Sequence, residues 1–367
     1  MRVGIPRELK NHEYRVGLAP AGVFELVSRG HEVIVEQSAG LGIGADDEAY
    51  RAAGAQIAPS AQAVYESATL IVKVKEPQPE ERRWLHPGHM LFAYLHLAPD
   101  PVLARDLIAS GATAIAYETV SGPGNSLPLL APMSEIAGRM SLQAGAHCLE
   151  KASGGRGVLL SGVPGVEPGH VVVLGAGTVG FNATLVALGF GARVTVIDRS
   201  LDALRRITAH FGTQAATLHA SREAVARAVS TADLVIGAVL VPGGAAPKLI
   251  SRDMLKNMQP GSVIVDVAID QGGCSESSRP TTHAAPTFVE EGVVHYCVAN
   301  MPGAVARTST QALNAATLPH ILALAEHGWQ QACALDPHLA DGLNIHSGRI
   351  VHPGVAAALG EALQSAG

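Results

Sequence analysis

Short apolar runs rich in β-branched residues alternate along the chain with amphipathic stretches. The amphipathic stretches, such as Ala19–Arg29 and Pro101–Ser110, place their apolar residues at helical spacing. Strands that alternate with helices predict α/β architecture, with parallel sheets built from βαβ units. The predicted strands are Arg2–Ile5, His31–Glu36, Leu70–Lys75, Met90–Leu95, Thr113–Tyr117, Val171–Leu174, Arg193–Ile197, Leu234–Val239 and Ser262–Ala268.

The number of predicted strands indicates two domains. A single doubly wound sheet commonly holds about five to seven strands, fewer than the chain offers. The loop Ser121–Leu127, rich in Gly, Pro, Asn and Ser, is typical of a linker. Ser134 is then predicted to cap a long helix that runs to about Lys151. We therefore predict two doubly wound Rossmann-like domains with a boundary near residue 130.

The C-terminal part of the chain is predicted to return to the first domain. The second domain is predicted to end near Asn300–Pro302, and a helix then runs from about Ser309–Thr310 to His327. The tail from about residue 335 is too short and too weakly patterned for a third domain. The prediction is a discontinuous first domain, residues 1–130 plus 305–367, around a second domain, residues 131–304.

Composition excludes several classes of protein. Apolar residues make up 47% of the 367 residues and charged residues 16%, which excludes a disordered chain or a coiled coil. The net charge of −6 argues against nucleic-acid binding. No apolar run reaches the roughly 18–20 residues of a membrane span, and the N-terminus lacks a basic and apolar leader, so a cytoplasmic location is expected. The four cysteines form no CxxC motif or Cys/His cluster, so we expect reduced thiols and no zinc.

A glycine-rich loop between two strands is the strongest local motif. Within residues 170–198, a buried strand leads into Gly175-Ala176-Gly177-Thr178-Val179-Gly180, then a helix and a second strand ending in Asp198. Gly175 suits a tight turn, Gly177 lets the backbone approach a pyrophosphate, and Gly180 lets helix and strand pack closely. The helix N-terminus offers N–H groups to the phosphates. Asp198 is placed to accept hydrogen bonds from ribose hydroxyls.

These features predict a dinucleotide site, with a glycine-rich structural turn or an unrelated nucleotide site as the alternatives. NAD is favoured over NADP because the carboxylate of Asp198 would repel a 2′-phosphate. Arg199, the next residue, could pair with such a phosphate, which leaves selectivity between the two cofactors open.

Polar side chains at the ends of predicted strands are candidates for chemistry, since ligands of open α/β sheets bind beyond the carboxyl ends of the strands. The candidates are Arg15, Lys75, His96 and Asp270. Two cations, an imidazole and a carboxylate could together hold a carboxylate, polarise a carbonyl group and move a proton.

Each candidate also has a purely structural alternative. Lys75 alternates with Lys73, so either lysine could be a solvated strand residue. His96 is one of 16 histidines and could be an ordinary surface or core residue. Asp270 could cap a turn, and Arg15 could form a surface ion pair.

At these residues the sequence resembles the alanine dehydrogenase family, which includes the nucleotide-binding part of proton-translocating transhydrogenase. The resemblance spans nearly the whole chain. Its motifs are MRVGIPRELKNHEYRVGLAPAGV at the start, LIVKVKEP at 70–77, LHLA at 95–98, AYETV at 116–120, LAPMSEIAGR at 130–139, GVPGVEP at 162–168, GAVLVPGGAAPKLI at 237–250, VDVAIDQGGC at 265–274 and YCVANMPGAV at 296–305.

The resemblance implies a role for each candidate. Arg15 would bind the substrate carboxylate, Lys75 would hydrogen-bond the carbonyl oxygen, His96 would be the general acid/base, and Asp270 would assist with ammonia or water. It also implies a cofactor pocket that includes Ser134, Thr178, Val179, Asp198, Val239, Leu240, Val267, Asp270, Val298 and Met301. Transhydrogenase-like chains typically lack the lysine, histidine and aspartate, all present here.

The implied activity is reversible NAD-dependent oxidative deamination of L-alanine to pyruvate and ammonia, in a cytoplasmic homohexamer without nucleic-acid or membrane partners. Three alternatives stay open: a transhydrogenase-type NAD(H)-binding subunit, a non-catalytic NADH sensor, and a dehydrogenase for a slightly larger amino or imino acid. The stretch after Asp198, with Arg199 and Ala203, departs from a firmly NAD-bound site. Glu118 and His327 are possible metal ligands, but we predict no metal.

Overall fold

The computed structural model describes residues 1–239, 245–360 and 363, and the chain divides into two compact units. The first unit consists of Met1–Met133 and Gly303–Gly367, and the second of Ser134–Pro302. Each unit has a central sheet flanked by helices.

The strands and helices follow in chain order. The strands are β1 Arg2–Ile5, β2 Glu32–Glu36, β3 Gln56–Ala58, β4 Leu70–Val72, β5 Met90–Ala93, β6 Thr113–Ala116, β7 His170–Leu174, β8 Arg193–Asp198, β9 Ala215–His219, β10 Leu234–Gly237, β11 Val263–Asp266, β12 Thr287–Glu290, β13 Val293–Tyr296, β14 Leu343–His346 and β15 Arg349–Ile350. The α-helices are α1 Pro20–Ser28, α2 Asp47–Ala52, α3 Ala61–Ser67, α4 Pro79–Arg82, α5 Pro101–Ser110, α6 Ala131–Cys148, α7 Thr178–Gly189, α8 Leu201–Phe211, α9 Arg222–Ser230, α10 Arg252–Lys256, α11 Ala306–Leu335, α12 Pro337–Ala340 and α13 Pro353–Leu359.

The sheet of the first unit is doubly wound. Its strand order is β15-β14-β6-β5-β4-β1-β2-β3, and β1 to β6 pair in parallel. The chain moves outward on one side through β1, β2 and β3, then on the other side through β4, β5 and β6. The strand order therefore reverses between β1 and β4, where an open α/β sheet forms a crevice at the carboxyl ends of its strands.

The second unit repeats this plan. Its strand order is β12-β13-β11-β10-β7-β8-β9, parallel except for the antiparallel edge strand β12. The strand order reverses between β7 and β10, so the loops after these two strands meet at one edge. Strands β7, β10 and β11 are buried along their whole length, as parallel strands covered by helices on both faces should be.

The prediction of two doubly wound α/β domains, the first discontinuous, is confirmed. Each predicted strand has a counterpart in the structure. Two of them end earlier than predicted: β4 ends at Val72 rather than Lys75, and β5 ends at Ala93 rather than Leu95. The prediction missed β3, β9, β12, β13, β14 and β15. These are strands at or near a sheet edge with short or polar segments, so their period-two pattern is weak.

The predicted helix cap at Ser134 is wrong. Helix α6 begins at Ala131, so Ser134 lies inside its first turns. The N–H groups of Leu130 and Ala131 donate to the Leu127 carbonyl, which turns the chain into the helix earlier. Pro132 fits there because a first-turn residue needs no N–H partner.

The C-terminal tail completes the sheet of the first unit. Strand β14 pairs antiparallel with β6, and β15 pairs antiparallel with β14. Helix α11 carries Pro319 and changes direction at Gly328, where φ is 71°. In the described part of the chain, no helix is long and apolar enough to cross a membrane.

Candidate active site

The polar residues of the first unit gather where its sheet reverses. The loop after β1 carries Arg15 and passes against the end of β4. A Cβ atom at Gly17 would lie 2.4 Å from the carbonyl oxygen of Val72, so only glycine permits this close approach. The fold thereby brings Arg15 to the segment that carries Lys75.

Arg15 is a buried guanidinium with a bidentate carboxylate partner. Its side chain is 2% exposed, and its Nε and Nη2 atoms donate to Oε1 and Oε2 of Glu13 at 2.7 and 2.6 Å. Its Nη1 atom lies 2.9 Å from Sδ of Met133. This fork geometry fixes the plane of the guanidinium group. The alternative of a surface ion pair is wrong for Arg15.

Lys75 is half-buried beside this arginine. Its backbone N–H and that of Val74 donate to Oε1 of Glu8, at 3.4 and 2.7 Å. Burial first, and the guanidinium of Arg15 second, lower the pKa of Lys75. Two neighbouring cations disfavour each other's charge, so an anion bound between them would relieve that repulsion.

Lys73 belongs to a separate buried cluster. Its side chain is fully buried, with Nζ 2.9 Å from Oε1 of Glu81 and 3.4 Å from Oε2 of Glu8. Lys73 is therefore structural, and the alternative of a solvated strand residue is wrong for it. Glu8 is buried beside Lys73 and Glu81. This burial raises the pKa of the Glu8 carboxyl group to about 7.

His96 lies in the segment after β5, next to a carboxylate. Its side chain is 45% exposed, so it is not a core histidine. Its Nδ1 atom lies 3.8 Å from Oε1 of Glu118. Its ring is parallel to that of Tyr94 with the ring centres 5.9 Å apart. The imidazole is thus accessible to a small molecule and close to the carboxylate of Glu118.

The glycine-rich loop of the second unit lies at the reversal point between β7 and β10. Gly175 has a φ of 108°. A Cβ atom at Gly180 would lie 1.8 Å from the carbonyl oxygen of Gly175, so helix α7 packs against the loop backbone. A Cβ atom at Gly177 would meet no atom of residues 1–239, 245–360 and 363 within 4 Å. Among these residues, none fills the space in front of Gly177 that a phosphate would need.

Helix α7 presents its N-terminus to that space. Its N-cap residue, Gly177, has no side chain that could accept from the first-turn N–H groups. Thr178 is exposed and Val179 half-buried in that turn. The first-turn N–H groups, which an α-helix leaves without intrahelical partners, and the helix dipole fit a dinucleotide pyrophosphate.

Asp198 connects the end of β8 to the glycine-rich loop. Its Oδ2 accepts from the N–H of Ala176 at 2.6 Å, and its Oδ1 accepts from the N–H of Ser200 at 2.7 Å. Each carboxylate oxygen can accept more than one hydrogen bond, so both can still bind ribose hydroxyls. The side chain is half-buried, and the neighbouring Arg199 is exposed.

Asp270 lies in the short 3₁₀ turn Val267–Gln271 after β11 and is exposed. The cap of this turn is Asp266, whose Oδ1 accepts from the N–H of Ala268 at 3.1 Å. Oδ2 of Asp266 accepts from the N–H of Cys274 at 2.7 Å, which closes the loop. Capping therefore falls to the buried Asp266, and the side chain of Asp270 faces solvent.

The remaining predicted cofactor residues lie at the ends of strands or helices of the second unit. Ser134 in α6, Val239 after β10 and Val267 after β11 are half-buried, whereas Val298 and Met301 after β13 are buried. Leu240 lies outside the described residues. The structure places Arg15, Lys75 and His96 in the first unit and Asp270 in the second.

The carboxylates that hold the candidates in place were not among the predicted site residues. Glu8 and Glu13 lie in the same N-terminal motif as Arg15, and a glutamate two residues from an arginine was the available signal. Glu118, by sequence only a possible metal ligand, accepts hydrogen bonds from the backbone N–H groups of Leu95 and His96. Among residues 1–239, 245–360 and 363, no group of three or more His, Cys, Asp or Glu side chains could hold a metal ion.

Comparisons with known proteins agree with this architecture. The family model "Alanine dehydrogenase/PNT, N-terminal domain" matches residues 4–137, and "Alanine dehydrogenase/PNT, C-terminal domain" matches residues 141–353. An alanine dehydrogenase of Halomonas elongata is 58% identical over 98% of this chain and 97% of its own. One of Mycolicibacterium smegmatis is 54% identical over 97% of this chain and 96% of its own.

Solved structures support the same relationship. A structure of L-alanine dehydrogenase, 50% identical, superposes with a TM-score of 0.95 over 98% of this chain and 99% of its own. A transhydrogenase from Sinorhizobium meliloti, 26% identical, has a TM-score of 0.83 over 96% of this chain and 99% of its own. With both family models matched and relatives above 50% identity over nearly the full length, the chain belongs to the alanine dehydrogenase/PNT family.

Proposed function

We propose that this protein is an NAD-dependent alanine dehydrogenase, which converts L-alanine and water reversibly to pyruvate and ammonia. The observation that carries the proposal is the pair of cations, Arg15 and Lys75, brought together at the reversal point of the first sheet. A 2-oxo acid carries a carboxylate and a carbonyl oxygen on adjacent carbons, which two neighbouring cations can bind together. The alanine dehydrogenases similar to the chain over nearly its full length support the same activity.

Arg15 and Lys75 hold the substrate in one orientation. The guanidinium of Arg15, held in plane by Glu13, binds the carboxylate, and the ammonium of Lys75 donates to the carbonyl oxygen. Fixing the reacting carbon in this way supplies much of the catalysis. The positive charge of Lys75 also stabilises negative charge that develops on the oxygen.

His96 moves the protons. Once the ammonium group of alanine has lost a proton and Cα has lost its hydride, the substrate is iminopyruvate. Water then adds to form a carbinolamine, which loses ammonia, and both steps need a proton donor and acceptor near neutral pH. The exposed imidazole of His96 suits this exchange. The carboxylate of Asp270 orients the water or ammonia.

The second unit holds the cofactor. Gly175, Gly177 and Gly180 shape the loop that the pyrophosphate approaches, the first-turn N–H groups of Thr178 and Val179 bind it, and Asp198 binds the ribose. Ser134, Val239, Val267, Val298 and Met301 complete the pocket. When bound, NAD⁺ supplies the two-electron acceptor for the hydride that leaves Cα of alanine. The carboxylate of Asp198 disfavours the 2′-phosphate of NADP.

The assembly and location are proposed from the family resemblance and from the thiols. A homohexamer is expected, and sedimentation velocity on the purified protein would test it. Cys148, Cys274, Cys297 and Cys333 are all free, which suits a reducing cytoplasm. Fractionation of the source cells would test that location.

The activity itself is tested by NADH absorbance with purified protein, NAD⁺ and L-alanine at alkaline pH. D-alanine, L-serine and NADP⁺ serve as controls. Rapid NADH formation with L-alanine and NAD⁺ alone is expected. Intact NADH binding without turnover of any amino acid would contradict the proposal and favour a hydride-carrying or NADH-sensing role.

A further inference from the structure

The backbone at His96 has an unusual conformation. Its φ is 47°, in the left-handed region that residues with a Cβ atom rarely adopt. Strained backbone of this kind persists only where surrounding contacts hold it, and it concentrates at functional sites. The structure should therefore contain a group that holds this segment.

Glu118 is that group. The ladder between β4 and β5 extends as far as the N–H of Tyr94, which donates to the Val74 carbonyl at 3.1 Å. The next two N–H groups turn to one carboxylate instead. The N–H of His96 donates to Oε1 of Glu118 at 2.6 Å, and the N–H of Leu95 lies 3.2 Å from each oxygen.

The fold explains how Glu118 reaches this position. It lies in the 3₁₀ turn Tyr117–Thr119 directly after β6, and β6 pairs in parallel with β5. The carboxyl ends of the two strands are therefore neighbours. The Glu118 side chain is 15% exposed, against 45% for His96, so the carboxylate is sheltered while the imidazole is accessible.

Two further contacts limit where the imidazole can lie. Oε1 of Glu118 is 3.8 Å from Nδ1 of His96, close enough to attract the protonated ring. The ring also stacks in parallel on Tyr94, whose hydroxyl donates to the Leu129 carbonyl at 2.6 Å. Glu118 therefore fixes the backbone of His96 and lies near its Nδ1 atom, and Tyr94 covers one face of its ring.

We propose that Glu118 is a positioning residue for His96. By accepting the N–H groups of Leu95 and His96, it holds the left-handed backbone that aims the imidazole at the substrate. Glu118 takes up no proton from the substrate and does not touch it. This inference rests on the proposed function, in which His96 exchanges protons with the substrate.

A double-mutant cycle tests it, with wild type, Glu118→Gln, His96→Ala and the double variant assayed for pyruvate reduction with NADH and ammonia. The introduced glutamine side chain keeps one acceptor oxygen and loses the second and the charge. We expect Glu118→Gln alone to lower kcat about 10- to 100-fold, with KM for pyruvate within about twofold of wild type. In the His96→Ala background, the same replacement should change kcat by less than about twofold, because a residue that acts through His96 has nothing left to position.

The outcomes separate the two proposals. An equal loss of kcat in both backgrounds would overturn the positioning role, as would an unchanged kcat in Glu118→Gln, or a raised KM with unchanged kcat. Full activity of His96→Ala would contradict the proposed role of His96 instead. Asp46→Asn controls for folding, because Asp46 is a first-unit carboxylate that accepts a backbone N–H, from Ala49 at 2.9 Å. It should shift the melting temperature without changing kcat.

Discussion

At the scale of single residues, carboxylates organise both candidate sites by accepting backbone N–H groups. Glu8 does so beside Lys75, Glu118 beside His96, Asp198 beside the glycine-rich loop and Asp266 beside Asp270. Hydrogen bonds to a charged acceptor are stronger than those between neutral groups. Each carboxylate therefore fixes the loop that follows a strand, because it accepts hydrogen bonds from backbone N–H groups that the strand ladder no longer pairs.

The two glycines of the loop should respond differently to an added methyl group. The Cβ of Gly177→Ala would meet no atom of the described part of the chain within 4 Å, and the φ of −74° suits alanine, so the free energy of unfolding should change by less than about 1 kcal/mol. The methyl group would occupy the approach to the pyrophosphate, and NADH affinity should fall at least tenfold. Calorimetric titration with NADH, beside a thermal melt, measures both effects.

Gly180→Ala is the matched comparison. Its Cβ would lie 1.8 Å from the Gly175 carbonyl oxygen, so the loop must move. We expect this variant to lose both NADH affinity and roughly 2–4 kcal/mol of stability, as overpacked sites do. Equal melting temperatures for the two alanine variants would contradict this account of the loop.

Replacing Asp198 by Asn should relax cofactor selectivity. Asn keeps one oxygen that can accept from a backbone N–H and removes the charge that repels a 2′-phosphate. We expect the ratio of kcat/KM for NAD⁺ over NADP⁺ to fall about tenfold, equivalent to about 1.4 kcal/mol. Steady-state kinetics with both cofactors gives the ratio. An unchanged ratio would exclude Asp198 as the ribose-binding residue.

At the scale of elements, helix α11 secures the loop that carries Arg15. Oδ1 of Asn314 accepts from the N–H of Ala19 at 2.5 Å, and Nδ2 donates to the Gly17 carbonyl at 2.9 Å. Oγ1 of Thr310 accepts from the N–H of Val16 at 3.3 Å. A helix near the C-terminal end of the chain thus holds the residues that directly follow Arg15.

Asn314→Ala should therefore affect both stability and substrate binding. It leaves a buried carbonyl and a half-buried N–H without partners, at a cost of roughly 2–4 kcal/mol. We expect a lower melting temperature and a several-fold higher KM for pyruvate, with NADH affinity unchanged. Gln330→Ala, near the C-terminal end of the same helix, is a control that should change neither KM nor NADH affinity. A normal KM in Asn314→Ala would show that the Arg15 loop holds its position without this helix.

At the scale of the whole molecule, one doubly wound plan is used twice. Each sheet reverses its strand order at the point where its candidate residues gather, between β1 and β4 in one and between β7 and β10 in the other. Antiparallel strands at the edges, β14 with β15 and β12, extend the two sheets. Ionisable side chains are buried inside the first of these units, so the free energy of unfolding should depend on pH.

Glu8 should make the stability of the protein depend on pH. Its folded pKa, raised by burial to about 7, lies above the value of about 4.5 expected for an unfolded chain. The contribution of Glu8 is therefore fully present below about pH 4.5 and is lost as pH rises through about 7, by up to about 3 kcal/mol. Glu8→Gln, which cannot ionise, should lack this decline.

Urea unfolding of wild type and Glu8→Gln at pH 5, 6, 7 and 8 tests the linkage. Wild type should lose the contribution of Glu8 as pH rises, and Glu8→Gln should not. The free energy of unfolding of the variant should therefore rise relative to that of wild type. Glu223→Gln, which removes an exposed carboxylate paired with Arg227, should give a curve parallel to wild type. Parallel curves for Glu8→Gln as well would show that Glu8 is ionised across this range.

The sequence alone predicted what local pattern and spacing encode. Apolar periodicity predicted the α/β class and the central strands, and the segment from His170 to Asp198 predicted the dinucleotide loop, because strand, turn and helix follow one another there. Only the tertiary structure decided which charges meet. The contact between Glu118 and His96 spans 22 residues, and that between Glu8 and Val74 spans 66. Local periodicity carries no information about such distant pairs, because strand order and register bring them together.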